Sequence, residues 1–201
     1  MLVQNKFLKY FSFVLSAIFI AYVIYMIVIS FFIVKNQFID VGDSTYVNQV
    51  RTDDYTIKLS AYLTKNCNEN KLCEVQSMLD FVTAIPYKIN ESIARNSKQV
   101  VDQNFGDCDD KSNLLISMLK VRGYEAYFVL VPKHIFVIVN LEDIKLNKRA
   151  LYVNDKPFYI LESTATGSKI GFNLKYKFDK IEAIVDPFVN KKLIVDKLDY
   201  K

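Results

Sequence analysis

Between Phe11 and Val34 the chain runs for 24 residues without a charge, mostly Phe, Ile, Val, Leu and Ala, with three serines and two tyrosines. At ~1.5 Å per residue a helix of that length reaches ~36 Å, enough to cross a ~30 Å hydrocarbon core with some tilt. A secretory signal has an apolar core of only ~7–15 residues, followed by small residues at the cut. Ser30-Phe31-Phe32-Ile33-Val34-Lys35 offers no such site, so the run reads as an uncleaved transmembrane anchor. Lys6 and Lys9 precede it, while Lys35 is soon followed by Asp40 and Asp43. The positive-inside rule then predicts a single-pass protein with its N-terminus in the cytoplasm. Everything beyond the span is expected outside, in the periplasm or at the cell surface. The expected layout is a cytoplasmic tail at 1–10, the anchor at 11–34, a polar stalk at 35–54 and a globular domain at 55–201.

Of the 26 basic residues, three lie in residues 1–35, which hold no acid; the remainder carries 23 bases against 22 acids. That near-neutral balance has no basic stripe and argues against a nucleic-acid partner. About 165 residues are enough for one domain with its own core. Apolar spacing predicts helices over Glu74–Phe81 and 108–122, the latter with Leu114, Leu115, Met118 and Leu119 on one face and Gly123 at its stop. Ser97 to Gln103 leads into the second of them, and Tyr55 to Leu63 fits either helix or strand. Strands are predicted at Ala126–Val131, His134–Leu141, Leu151–Val153 and Phe158–Leu161, with a hairpin turn at Asn154-Asp155. Edge strands are expected at Asn173–Phe178 and Lys191–Val195. Helices first and an antiparallel sheet after make the class α+β.

Three cysteines fit an oxidising exterior. Cys67 and Cys73, separated by a loop containing Asn68-Glu69-Asn70, are within reach of a disulfide if the loop folds back. That leaves Cys108 as the odd thiol. It stands in Gly106-Asp107-Cys108-Asp109-Asp110, where a turn enters a helix, and the single histidine, His134, follows 26 residues later. A helix N-terminus favours thiolate, whereas Asp107, Asp109 and Asp110 oppose it. Ionising such a thiol calls for an imidazole partner, and His134 is the one candidate. Asp107 is placed as the helix N-cap, and Asp109 and Asp110 as first-turn acids. No metal-ligand spacing and no cofactor motif occurs.

The Cys element, together with Pro132-Lys133-His134-Ile135-Phe136, Tyr159-Ile160-Leu161-Glu162 and the later Gly171-Phe172, resembles the transglutaminase-like superfamily of papain-related thiol enzymes. The likeness runs from about Cys67 to Phe172. It implies a nucleophile helix packed on an antiparallel sheet that carries the base, and a triad of Cys108, His134 and Glu162. Gln103 is implied as an oxyanion donor, by analogy with a Gln that precedes the Cys in papain-like enzymes. In one related family of periplasmic proteases paired acids at this place help to bind calcium; here they are read as structural. The chain has no Trp and carries Lys133 where Gly is common. The implied activity is cleavage or transfer of peptide or glutamine amides in a bacterial envelope, by a cysteine peptidase or an acyltransferase. The two share a thioester intermediate that water or an amine resolves. The alternative is a catalytically silent binding module in an envelope assembly.

Overall fold

The computed structural model describes residues 6–41, 44–90, 95–142 and 146–201. Residues 1–5 of the expected tail, and Asp43 of the flank used for orientation, lie outside the described residues. The chain divides into two units, Met1–Phe38 and Ile39–Lys201. In the first, α1 (Lys6–Gln37) is a single helix. Its stretch Lys6–Phe32, in which 18 consecutive residues reach a mean hydropathy of 2.5, is long and apolar enough to cross a membrane.

The second unit begins before the expected domain start. Tyr46, Asn48 and Val50, inside the expected stalk, are buried. Tyr46 Oη donates to Asn113 Oδ1 at 2.6 Å, and the Val50 amide donates to Asn48 Oδ1 at 3.0 Å. The polar composition of 35–54 concealed this inward period-2 alternation. Two short strands, β1 (Phe38–Val41) and β2 (Ser44–Val47), pair here as a small sheet.

Four helices follow: α2 (Asp54–Thr64), α3 (Lys71–Ala84), α4 (Ser97–Gln103) and α5 (Cys108–Val121). The ambiguous stretch at 55–63 is helical because Asp53 and Thr56 form a capping box. Its buried positions are Thr56, Ser60 and Thr64. Their four-residue spacing is helical, but their hydroxyls mask it, each bonded to nearby backbone carbonyls. Cys67 and Cys73 are joined by a disulfide, Cα–Cα 5.4 Å, across the turn between α2 and α3. Helix α5 ends in a Schellman motif. Gly123 N–H donates to Lys120 O, Tyr124 N–H donates to Leu119 O, and Gly123 takes φ +82°.

The remaining strands are β3 (Ala126–Val131), β4 (His134–Val139), β5 (Leu151–Val153), β6 (Lys156–Leu161), β7 (Ala183–Asp186), β8 (Lys191–Lys192) and β9 (Leu198–Tyr200). They make an antiparallel sheet in the order β8-β7-β3-β4-β6-β5-β9. One face, with Ile135, Val137 and Leu161, packs in the same core as α3 and α5. The other, with Phe136, Ile138 and Ile160, is covered by C-terminal side chains including Phe172, Leu174 and Tyr176. The unit is α+β, and β4 is buried on both faces as its apolar run predicts.

One edge-strand expectation is met in part and the other fails. Lys191–Val195 contributes Lys191 and Lys192 to the sheet edge as β8, and the Leu193 amide adds a bond to Ile184 O at 2.8 Å. Asn173–Phe178 contains no strand; it runs across the sheet as an extended strap, and Leu174 N–H donates to Tyr200 Oη at 3.1 Å. Its alternating Phe172, Leu174 and Tyr176 bury side chains as a strand would, so pattern alone does not distinguish the two. Strands β7 and β9 take the ladder positions instead, and three or four residues gave too short a pattern to read.

Gly171 launches the strap. Its amide and that of Phe172 both donate to Ile160 O, at 3.0 and 3.1 Å. It holds φ +75°, and a Cβ there would lie 2.7 Å from Lys148 Cβ. Gly171→Ala is therefore expected to destabilise the unit by about 2 kcal/mol or more, from a left-handed non-glycine residue plus overpacking. Urea denaturation followed by circular dichroism checks this; an unchanged midpoint would contradict the strain.

Candidate active site

Gly106 sits in a parallel bridge with Tyr87. Its amide donates to Pro86 O, and its carbonyl accepts from Lys88 N–H, both at 3.1 Å. A Cβ on Gly106 would stand 3.1 Å from Asp110 Cβ and 3.2 Å from Lys111 Cγ, which explains the glycine. The turn thus ties 86–88 against the start of α5, bringing Tyr87 within electrostatic reach of Cys108. Lys111 is 1% exposed and donates Nζ–H to Ile85 O at 2.7 Å, fastening the same segment from below. Burial lowers its ammonium pKa.

The three acids act in three different ways. Asp107 caps α5, accepting from Asp110 N–H at 3.1 Å, and its second oxygen accepts from Asn90 N–H at 3.2 Å. Asp110 is 1% exposed and pairs with Arg95, accepting from Nη2 at 2.6 Å and Nε at 3.2 Å, with the Arg95 amide adding a third bond at 3.1 Å. Asp109 turns toward the thiol and accepts from Cys108 Sγ at 3.5 Å. Among the described residues, no group of three His, Cys, Asp or Glu side chains is arranged to hold a metal ion.

Cys108, the first residue of α5, is partly buried. Burial pushes its thiol pKa up, and the charges of Asp109 and then Asp107 add to this, to about 12. One influence pulls the other way, that of the nearby Ile135 backbone N–H. Ile135 is the neighbour of His134, so the thiol lies at the start of β4. Burial and the Asp107 charge likewise raise the carboxyl pKa of Asp109, which His134 opposes.

His134 begins β4 after a two-residue turn, Pro132-Lys133. Lys133 takes φ +60°, as the third position of a type II turn requires, which explains why glycine suits it. His134 Nε2 lies 2.9 Å from Glu162 Oε2. Glu162 follows the last residue of β6, and its other oxygen accepts from Thr164 N–H at 3.1 Å and Thr164 Oγ1 at 2.6 Å. Burial opposes the charge on Glu162. The hydrogen bonds from His134 and Thr164 outweigh it and hold the carboxyl pKa below its ordinary value. Both oxygens are engaged, so the carboxylate is fixed in orientation.

Sequence reasoning missed two further contributors. Ser112, one turn along α5 from Cys108, donates to Ile135 O at 3.4 Å and lies 3.0 Å from Ser163 Oγ. Both serines are fully buried. This pair moors α5 to the start of β4 and the end of β6, where His134 and Glu162 sit. The second is Tyr176. Its ring stacks on His134 at 6.2 Å and on Phe136 at 6.3 Å. The alternation after Gly171 held the signal for it, once read as a covering strap.

Gln103, the expected oxyanion donor, is exposed at the end of α4. Its Oε1 accepts from Arg95 Nη1 at 2.5 Å, so it belongs to the Arg95–Asp110 cluster.

No family model matches the chain. No curated protein matches it either. Two solved structures are similar to it over part of their length. One is a candidate cysteine protease from Cytophaga hutchinsonii, with TM-score 0.44 and 16% identity, covering 58% of this chain and 39% of that one. The other is a candidate protease from Parabacteroides distasonis ATCC 8503, with TM-score 0.44 and 12% identity, covering 70% of this chain and 27% of that one. This chain therefore spans well under half the length of either.

Proposed function

We propose that this chain is a membrane-anchored thiol enzyme that opens amide bonds through Cys108, His134 and Glu162, with its second unit outside the cytoplasm. The observation that carries this is local. Cys108 heads the helix that Ser112 ties to Ile135 O, next to His134, whose Nε2 meets Glu162 at 2.9 Å. That leaves Nδ1 as the ring nitrogen for the thiol proton. The helix-on-sheet arrangement is the one a papain-like reading implies, and the apolar Lys6–Phe32 span suits an anchor.

The resting thiol is protonated, so the reading is general-base attack rather than a preformed thiolate. As Sγ bonds to the carbonyl carbon, its proton passes to His134 Nδ1 and the carbonyl electrons move to oxygen. Glu162 stabilises the imidazolium through Nε2–H and stays ionised. The Cys108 amide, at the helix N-terminus, supports the oxyanion. Collapse expels the amine, which takes the proton from His134, and leaves a thioester on Cys108. Water or a second amine then resolves it, giving hydrolysis or transamidation.

One observation favours the second reading, a silent binding module: Asp109 takes the S–H bond and holds the thiol neutral. Acylation by p-nitrophenyl acetate separates the two. The enzyme reading expects a burst of nitrophenol and an acetyl thioester on the Cys108 peptide by mass spectrometry. The adduct should be absent in Cys108→Ala and slow to form in His134→Ala. Folded wild-type protein that gains no adduct supports the binding module instead.

A further inference from the structure

Beside the proposed triad lies a cavity of about 220 Å³, on the sheet face turned away from α5. Its floor is Phe136 and Ile160, and the strap supplies Phe172, Leu174 and Tyr176 as its wall. His134 and Glu162 line it, and Cys108 is not in its lining. Pockets for whole small-molecule ligands run to ~300–1,000 Å³, so this one is sized for a single large side chain. Its position assigns the side of the reaction. The amine expelled as the thioester forms must stand next to the imidazole that protonates it. The group carried by that amine is therefore the one delivered to a cavity walled by His134.

We propose that this cavity takes a large apolar side chain, aromatic or branched aliphatic, of the residue whose amine is expelled as the thioester forms on Cys108. The inference rests on the Cys108–His134–Glu162 reading. The apolar surfaces of Phe136, Ile160, Phe172, Leu174 and Tyr176 supply the attraction. Lys175 stands at the rim, its Nζ 4.8 Å from the Phe172 ring centre, and disfavours a lysine side chain by like charge. The strap thus stacks on His134 and also selects the leaving group. In acyl transfer the same cavity selects the incoming amine, since that amine enters where the first one left.

Chloroacetyl amides test this on the full chain in detergent. Sγ displaces chloride from the chloroacetyl carbon to form a thioether, and the thiol proton passes to His134. The amide nitrogen carries its substituent to the leaving-group side. Chloroacetyl-phenylalanine amide is expected to label Cys108 at least about tenfold faster than chloroacetyl-glycine amide. The lysine counterpart should be slower than phenylalanine. Ala165→Phe, which fills the cavity from its loop, and Leu174→Ala, which removes part of its wall, should each bring the ratio toward one, while Leu174→Met retains it. Circular dichroism verifies each fold, and either variant alone is sufficient. Iodoacetamide, which has no such substituent, reads the triad separately. Equal phenylalanine and glycine rates, with iodoacetamide labelling still dependent on His134, overturn the cavity assignment and leave the triad standing. Slow labelling by every reagent, indifferent to His134, overturns the triad reading and the assignment with it.

Discussion

Replacing Asp109 by Asn accelerates alkylation of Cys108 near neutral pH, and replacing His134 by Ala slows it. Both expectations follow from the thiol's surroundings. After burial, Asp109 is the leading cause that drives the thiol pKa to about 12, and it also accepts the S–H bond. Removing a negative charge favours the thiolate, so the alkylation midpoint should fall by about one pH unit or more, making labelling about tenfold faster at neutral pH. His134 acts in the opposite sense, by accepting the proton as sulfur attacks. Its loss should slow labelling about a hundredfold, the scale of general-base assistance. Glu162→Gln should fall between, since an amide holds the ring without stabilising its charge. Adding Glu162→Gln to His134→Ala should cost nothing more, because the two act as one unit. Stopped-flow labelling with iodoacetamide across pH reads all of these. A wild-type profile like that of His134→Ala, in protein that stays folded, contradicts the enzyme reading.

Asp110→Ala should be the most damaging single change to stability away from the apolar core. Asp110 and Arg95 have side chains only 1% and 7% exposed, so neither charge has water to fall back on. The pair also supports its surroundings: Arg95 donates to Phe105 O at 2.9 Å and lies 4.0 Å from the Phe105 ring centre. Removing one partner of such a pair costs about 3–5 kcal/mol, because the other remains buried and uncompensated. The double change Arg95→Met with Asp110→Leu should recover much of that loss, since no orphan charge remains. Urea denaturation of the detergent-solubilised chain measures both. A fully stable Asp110→Ala would mean that Arg95 finds water or another acceptor.

What could be read in advance depended on how a residue's role is encoded. The bounds of α5, β3 and the β5–β6 hairpin follow from apolar periodicity and turn chemistry, which are local. Asp107 was legible as a cap for the same reason. The split of the neighbouring acids was not: Asp109 and Asp110 look alike in sequence, and only the approach of Arg95, fifteen residues earlier, takes one inward. Helix α2 stayed ambiguous because its inward face is made of hydroxyls. The Ser112–Ser163 pair was invisible because it depends on a tertiary meeting, and Tyr176 showed only within an alternation that also fits a strand. Gln103 was suggested as a donor by the resemblance alone, and the hold of Arg95 on its oxygen is a tertiary contact that the sequence does not show.

The small ring closed by Cys67 and Cys73 says something about the history of each molecule. The two residues are only six apart in sequence, and the turn between them is also held by Asn70, which caps α3 by accepting from Cys73 N–H at 3.0 Å. Closing so short a ring removes little freedom from the unfolded chain, about 2 kcal/mol in the chain-entropy account. The fold therefore does not hang on it, and a copy made under reducing conditions should be native in shape with both sulfurs free. The state of that pair then works as a passport stamp. It records whether a given molecule has met an oxidising compartment, independently of whether it has folded, and it does so without consuming the thiol of Cys108.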